Sequence, residues 1–84
     1  VAALRAEITA LDVRLLETVN ARIETVEQLR RHKEQHGIAF LDPDREASLL
    51  RELQGANHGP LSEDGVHELV TFVLDLVKRE VARE

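Results

Sequence analysis

Between Leu4 and Leu29 the apolar residues of this sequence return every third or fourth position, and no glycine or proline appears before Gly37. The series is Leu4, Ile8, Leu11, Leu15, Val19, Val26 and Leu29, with one gap between Val19 and Val26. Such spacing marks one face of an α-helix. It predicts a first helix over residues 2–36, ended by Gly37 just past the cap. His32, Lys33 and His36 near its end suit the negative pole of the helix dipole. At about 1.5 Å per residue the helix is roughly 52 Å long. A compact globule of this chain length is only about 30 Å across, so the remaining residues cannot cover it. A second chain has to, either in an intertwined dimer or in an open two-helix coiled coil.

The rest of the chain reads as two shorter helices. Residues 38–41, Ile-Ala-Phe-Leu, form an apolar connector. Asp42 then caps a second helix with Pro43 at its first position, over residues 43–54, with Leu49, Leu50 and Leu53 inward. Residues 55–61 are a loop by composition. Ser62 caps the third helix, whose buried stripe is Val66, Leu69, Val70, Val73, Leu74, Val77 and Val81. The fold class is all-α: three helices, the first very long, in a single domain over residues 1–84.

Composition narrows the function. There is no cysteine, hence no disulfide framework, thiolate metal site or cysteine nucleophile. A net charge of -5 gives no global electrostatic grip on nucleic acid or an anionic membrane. No apolar run approaches the roughly 18 residues of a membrane span, and no signal peptide is visible, so a cytoplasmic location is expected. The chain opens on Val1 rather than Met, which leaves room for residues ahead of it in a fusion. At this size a lone monomer would bury only about 60% of its unfolded surface, a second argument for association.

The informative residues are the polar ones in apolar places. Arg22 fills the gap in the first stripe and Lys33 ends it. At about 100° per residue, positions 22, 26, 29 and 33 share one face. Two unpaired cations facing a core are costly, so something anionic should meet them. A neighbouring carboxylate, or snorkelling to solvent, would serve; so would a pocket for an anionic ligand. Arg5 and Asp12 lie on a separate stripe and pass as surface charge. Asp42 and Glu46 suit a helix start, whereas Arg45 opposes the dipole there and hints at a partner or ligand. His32 and His36 have i,i+4 spacing but no evident third ligand, so no metal is expected.

As an ordered set these residues resemble the all-helical AroQ class of chorismate mutases over nearly the whole chain. The resemblance rests on Leu4-Arg5-x-x-Ile8-x-x-Leu11-Asp12-x-x-Leu15-Leu16, then Arg22, Lys33 and Asp42-Pro43-x-Arg45-Glu46. Gly59-Pro60-Leu61 before the third helix and Lys78-Arg79-Glu80 near its end also fit. The resemblance implies an intertwined homodimer and the rearrangement of chorismate to prephenate, a cofactor-free step of aromatic amino-acid biosynthesis. It implies that Arg22 and the partner chain's Arg5 grip the two substrate carboxylates. Lys33 would reach a carboxylate and the ether oxygen, and Arg45 a carboxylate. Glu46 would accept from the ring hydroxyl, assisted by the backbone at Asp42.

The resemblance also aligns Val77 and Val81 with positions where the family carries polar groups facing a carboxylate and the ether oxygen. Lys33 would then act on the developing oxyanion alone, and losing one such donor costs ~10²–10³ in rate. A weak mutase, one completed by another enzyme of aromatic biosynthesis, or a relative with another substrate would follow. The alternatives are an isochorismate pyruvate-lyase, a 4-amino-4-deoxychorismate mutase and a non-catalytic dimerisation or regulatory module.

Overall fold

The computed structural model describes residues 1–83, which form α1 (Ala2–Gln35), α2 (Pro43–Ala56) and α3 (Glu63–Ala82), with no strand among the described residues. Each boundary has a local chemical cause. At the end of α1, Gly37 takes φ +66°, the left-handed conformation that glycine adopts without steric cost. The Gly37 N–H then donates to the Glu34 carbonyl at 3.3 Å and the Ile38 N–H to the Lys33 carbonyl at 2.8 Å. This reciprocal pair closes the helix and turns the chain sharply back.

Asp42 caps α2 through its carboxylate, which accepts from the Arg45 N–H at 3.0 Å. The helix continues to Ala56, two residues beyond the 54 expected from Gly55. Asn57, not Gly55, ends it. The Asn57 N–H donates to the Leu53 carbonyl at 3.1 Å, while its side-chain amide donates across the loop to the Leu61 carbonyl at 2.7 Å. A single glycine in a last turn costs only about 1 kcal/mol, too little to stop a helix whose cap lies two residues further on. Ser62 caps α3, its hydroxyl accepting from the Gly65 N–H at 3.0 Å. Leu61 folds back over that first turn so closely that a Cβ on Gly65 would meet the Leu61 Cδ1 at 2.6 Å.

α3 is the hub. It packs against both α1 and α2, whose backbones do not approach each other closely among the described residues. Val66, Val70, Val77 and Val81 are its buried face. The expected stripe is only partly covered, since Leu69 is 48% exposed and Leu53 on α2 is 40% exposed. The same holds more strongly on α1, where every residue from Val1 to Thr18 is exposed, Leu4, Ile8, Leu11, Leu15 and Leu16 among them. The molecule measures 53 × 27 × 16 Å, its length set by α1 alone. The short helices lie beside the carboxy-terminal half of α1 and leave the other half bare. No helix among the described residues is long and apolar enough to cross a membrane.

Candidate active site

Where α1, α2, α3 and the connector come together, they frame a half-open cavity of ≈ 210 Å³. α1 contributes Arg22, Val26, Leu29 and Lys33, the face that bears two cations in an apolar stripe. Asp42, Arg45, Glu46 and Leu49 come from α2, Leu74, Val77 and Lys78 from α3, and Phe40 and Leu41 from the connector. The wall thus holds four cationic side chains and two carboxylates around an apolar floor.

The charges are unequally satisfied. Lys33 donates from Nζ to the Phe40 carbonyl at 3.3 Å, a neutral acceptor. No carboxylate lies within ion-pairing distance of Arg22 or Lys33 among the described residues. The salt bridge that periodicity alone allowed for these two cations is therefore not made. Asp42 spends one carboxylate oxygen on the helix cap. Arg45 leans outward, its Nη1 3.5 Å from Glu52 Oε1, with more than half of both side chains exposed. Such an exposed pair is worth about 0–1 kcal/mol and leaves the guanidinium free to be redirected. Glu46 accepts from Lys78 Nζ through both oxygens, at 3.2 and 3.0 Å.

Of the residues singled out in the sequence, Arg22, Lys33, Asp42, Arg45, Glu46 and Val77 all reach this cavity. Arg5 does not. It lies 17 residues from Arg22 along α1, a separation of about 25 Å that no arginine side chain spans. Val81 does not reach it either. It is 1% exposed and buried in the helix packing one turn beyond Val77, because the cavity sits at the level of the Leu74–Lys78 turn. Lys78 takes a place there that periodicity hides, since a lysine one position from the buried stripe reads as solvated surface. Phe40 and Leu41 were also out of reach of helical spacing, being in the connector. His36 has Nδ1 2.8 Å from the His32 carbonyl, so the histidine pair finishes a helix end rather than facing the cavity.

A second cavity of ≈ 290 Å³ lies beside the first, sharing Arg22, Leu49 and Leu74 with it and otherwise lined by leucines and valines of α2 and α3. It is continuous with the half-exposed Leu53 and Leu69.

Comparison with known proteins follows the same outline. The family model described as chorismate mutase type II matches residues 4–81. A 4-amino-4-deoxychorismate mutase from Streptomyces venezuelae is 41% identical over 59 residues, covering 67% of this chain and 56% of the relative. A T-protein from Haemophilus influenzae is 35% identical over 69 residues, covering 80% of this chain but 18% of the relative. The chain thus spans about half the length of the first of these and under a fifth of the second. No solved structure gives a significant match.

Proposed function

Because the chain belongs to the type II chorismate mutase family, we propose that it rearranges chorismate to prephenate in the cavity between its helices. The observation that carries this reading is the state of Arg22 and Lys33: two cations on one cavity wall with no carboxylate partner among the described residues. Chorismate is a compact dianion whose two carboxylates would supply the missing charge.

The reaction breaks one C–O ether bond as one C–C bond forms within the same molecule. It uses no cofactor and no covalent intermediate, so the protein's task is to hold the folded conformer and to stabilise charge on the ether oxygen. Arg22 grips one carboxylate. Lys33, held beside the Phe40 carbonyl, bridges a carboxylate and the ether oxygen. Arg45 swings in from its loose contact with Glu52 to add a cation. Glu46 accepts from the ring hydroxyl, with the backbone at Asp42 beside it. Val26, Leu29, Leu74 and Val77 form the apolar floor that excludes water and keeps the substrate folded.

Arg5 completes the site from a second copy of the chain. The bare apolar half of α1 and the open leucine-lined cavity beside Arg22 support an intertwined homodimer, in which each α1 lies across its partner and delivers Arg5 about 25 Å from its own Arg22. A second enzyme of aromatic biosynthesis remains a candidate partner of the assembled dimer.

Purified protein incubated with chorismate, with products identified by mass, tests the reading. Prephenate is expected. Absence of turnover with an intact dimer would overturn it, and pyruvate with salicylate from isochorismate would replace it with a lyase. The Streptomyces relative favours one second reading, a mutase acting on 4-amino-4-deoxychorismate, in which a ring amine stands where chorismate has its hydroxyl.

A further inference from the structure

Lys78 enters the cavity from α3 and holds Glu46 with both carboxylate oxygens, at 3.2 and 3.0 Å. The two side chains are 30% and 33% exposed, so they stand at the cavity wall rather than in bulk solvent. The other acid near the ammonium is Asp75, at 4.0 Å on the outer side of α3. We propose that Lys78, paired with Glu46, is a specificity-determining residue: it selects a substrate whose ring bears a neutral hydroxyl facing Glu46 and turns away one bearing an ammonium there. The inference rests on the reading of this cavity as a chorismate-type site, and names the substrate within that class.

The argument is one of donor and acceptor inventory. A hydroxyl both donates and accepts. It can donate to one Glu46 oxygen and accept from Lys78 Nζ, so a single ring substituent satisfies both members of the pair. A protonated amine has donors only. It can bind Glu46 only by setting a second positive charge beside Lys78, at the same carboxylate and within hydrogen-bond range. Like charges brought together in a partly desolvated site are strongly unfavourable, and a repulsive element of this kind is how a binding site rejects a close analogue.

Little else on the wall offsets that repulsion. Arg22, Lys33 and Arg45 are cations, and Asp42, the other carboxylate of the lining, has one oxygen committed to the helix cap. Without Lys78, Glu46 would be a bare carboxylate in a small apolar-floored cavity, the group best suited to an ammonium. One residue therefore decides which ring substituent the same carboxylate recognises.

The test compares kcat/KM for chorismate and for 4-amino-4-deoxychorismate in the native chain and in Lys78→Met, Lys78→Gln and Lys78→Arg. The native chain is expected to favour chorismate at least about tenfold. Lys78→Met and Lys78→Gln should each lower that ratio about tenfold or more, chiefly by gain on the amino substrate, and Lys78→Arg should preserve it. A structural role for Lys78 would instead lower both activities together and leave the ratio unmoved. A native preference for the amino substrate, or an unchanged ratio in a folded uncharged variant, would overturn the proposal while leaving a chorismate-type site standing. If the native chain turns over neither substrate, the reading of the cavity falls and the proposal falls with it.

Discussion

Lys33 holds the connector at two points: its ammonium donates to the Phe40 carbonyl at 3.3 Å, and its own carbonyl accepts from the Ile38 N–H at 2.8 Å. The residue whose carbonyl takes part in closing α1 thus also fixes the strip of chain that roofs the cavity. Its charge is steadied by a neutral oxygen and not cancelled, which keeps it available to an anion. A carboxylate in place of that carbonyl would have bound the lysine more firmly and left less charge for a ligand.

Lys33→Gln and Arg22→Gln should each lower kcat/KM for chorismate by ~10²–10³-fold, the effect of removing one preorganised donor from a developing negative charge. Both side chains are partly exposed, so thermal unfolding should move little. Steady-state kinetics together with melting curves make the comparison. A loss of activity that tracks a loss of helicity would assign the two residues to stability and not to the site.

Arg5 lies on an exposed face of α1; if it serves the site of the other copy as proposed, Arg5→Ala should leave association intact and abolish most activity. Inactive Arg5→Ala chains mixed and reassembled with inactive Arg22→Ala chains should regain about a quarter of the native sites, those in which one intact Arg5 meets one intact Arg22. Reassembly that restores nothing would mean that both arginines of a site come from the same chain.

Much of this was legible because it is local. Asp42, Ser62 and Gly37 announce caps and a stop through bonds made within three to five residues, and the boundaries fall where those bonds require. Arg22 and Lys33 stood out because a cation in an apolar stripe breaks the pattern. Asn57 displaced Gly55 as the end of α2 because its side chain reaches Leu61 through space, a contact that composition does not signal. Lys78 was hidden for a similar reason. Its partner Glu46 is 32 residues away, and only the packing of α3 on α2 brings them together. Val81 shows the reverse case, a position that the family resemblance would direct at the substrate and that the packing of the chain buries.

Val81→Gln should therefore destabilise the fold by about 1–3 kcal/mol, the cost of burying an amide without partners, and should not raise kcat. Val77 is as deeply buried as Val81, at 1% exposure, but its turn lines the cavity, so Val77→Thr, which keeps the shape of valine, should be the better tolerated in kinetics. Chemical denaturation and single-turnover rates separate the two. A faster chemical step in Val81→Gln would show that the site extends a turn further along α3 than the cavity does.

Gly37→Ala should cost about 1–2 kcal/mol, because a side chain there must be held in the left-handed region. No atom lies near enough to clash with the added methyl, so the cost is conformational and not steric. Gly37→Asn should recover part of it. Urea unfolding of the three proteins gives the ranking, and equal stabilities would mean that the turn relaxes to a different closure.

The bare amino-terminal half of α1 gives protein concentration a role in the chemistry. If those eighteen residues find their cover only on another copy, dilution strips away the fold and Arg5 in one event. In the dilute limit total activity would then fall as the square of chain concentration and specific activity in proportion to it, instead of staying constant, so that halving the amount of chain removes more than half of the catalysis. A cell making too little of such a chain would hold unfolded polypeptide in place of a proportionally smaller amount of enzyme.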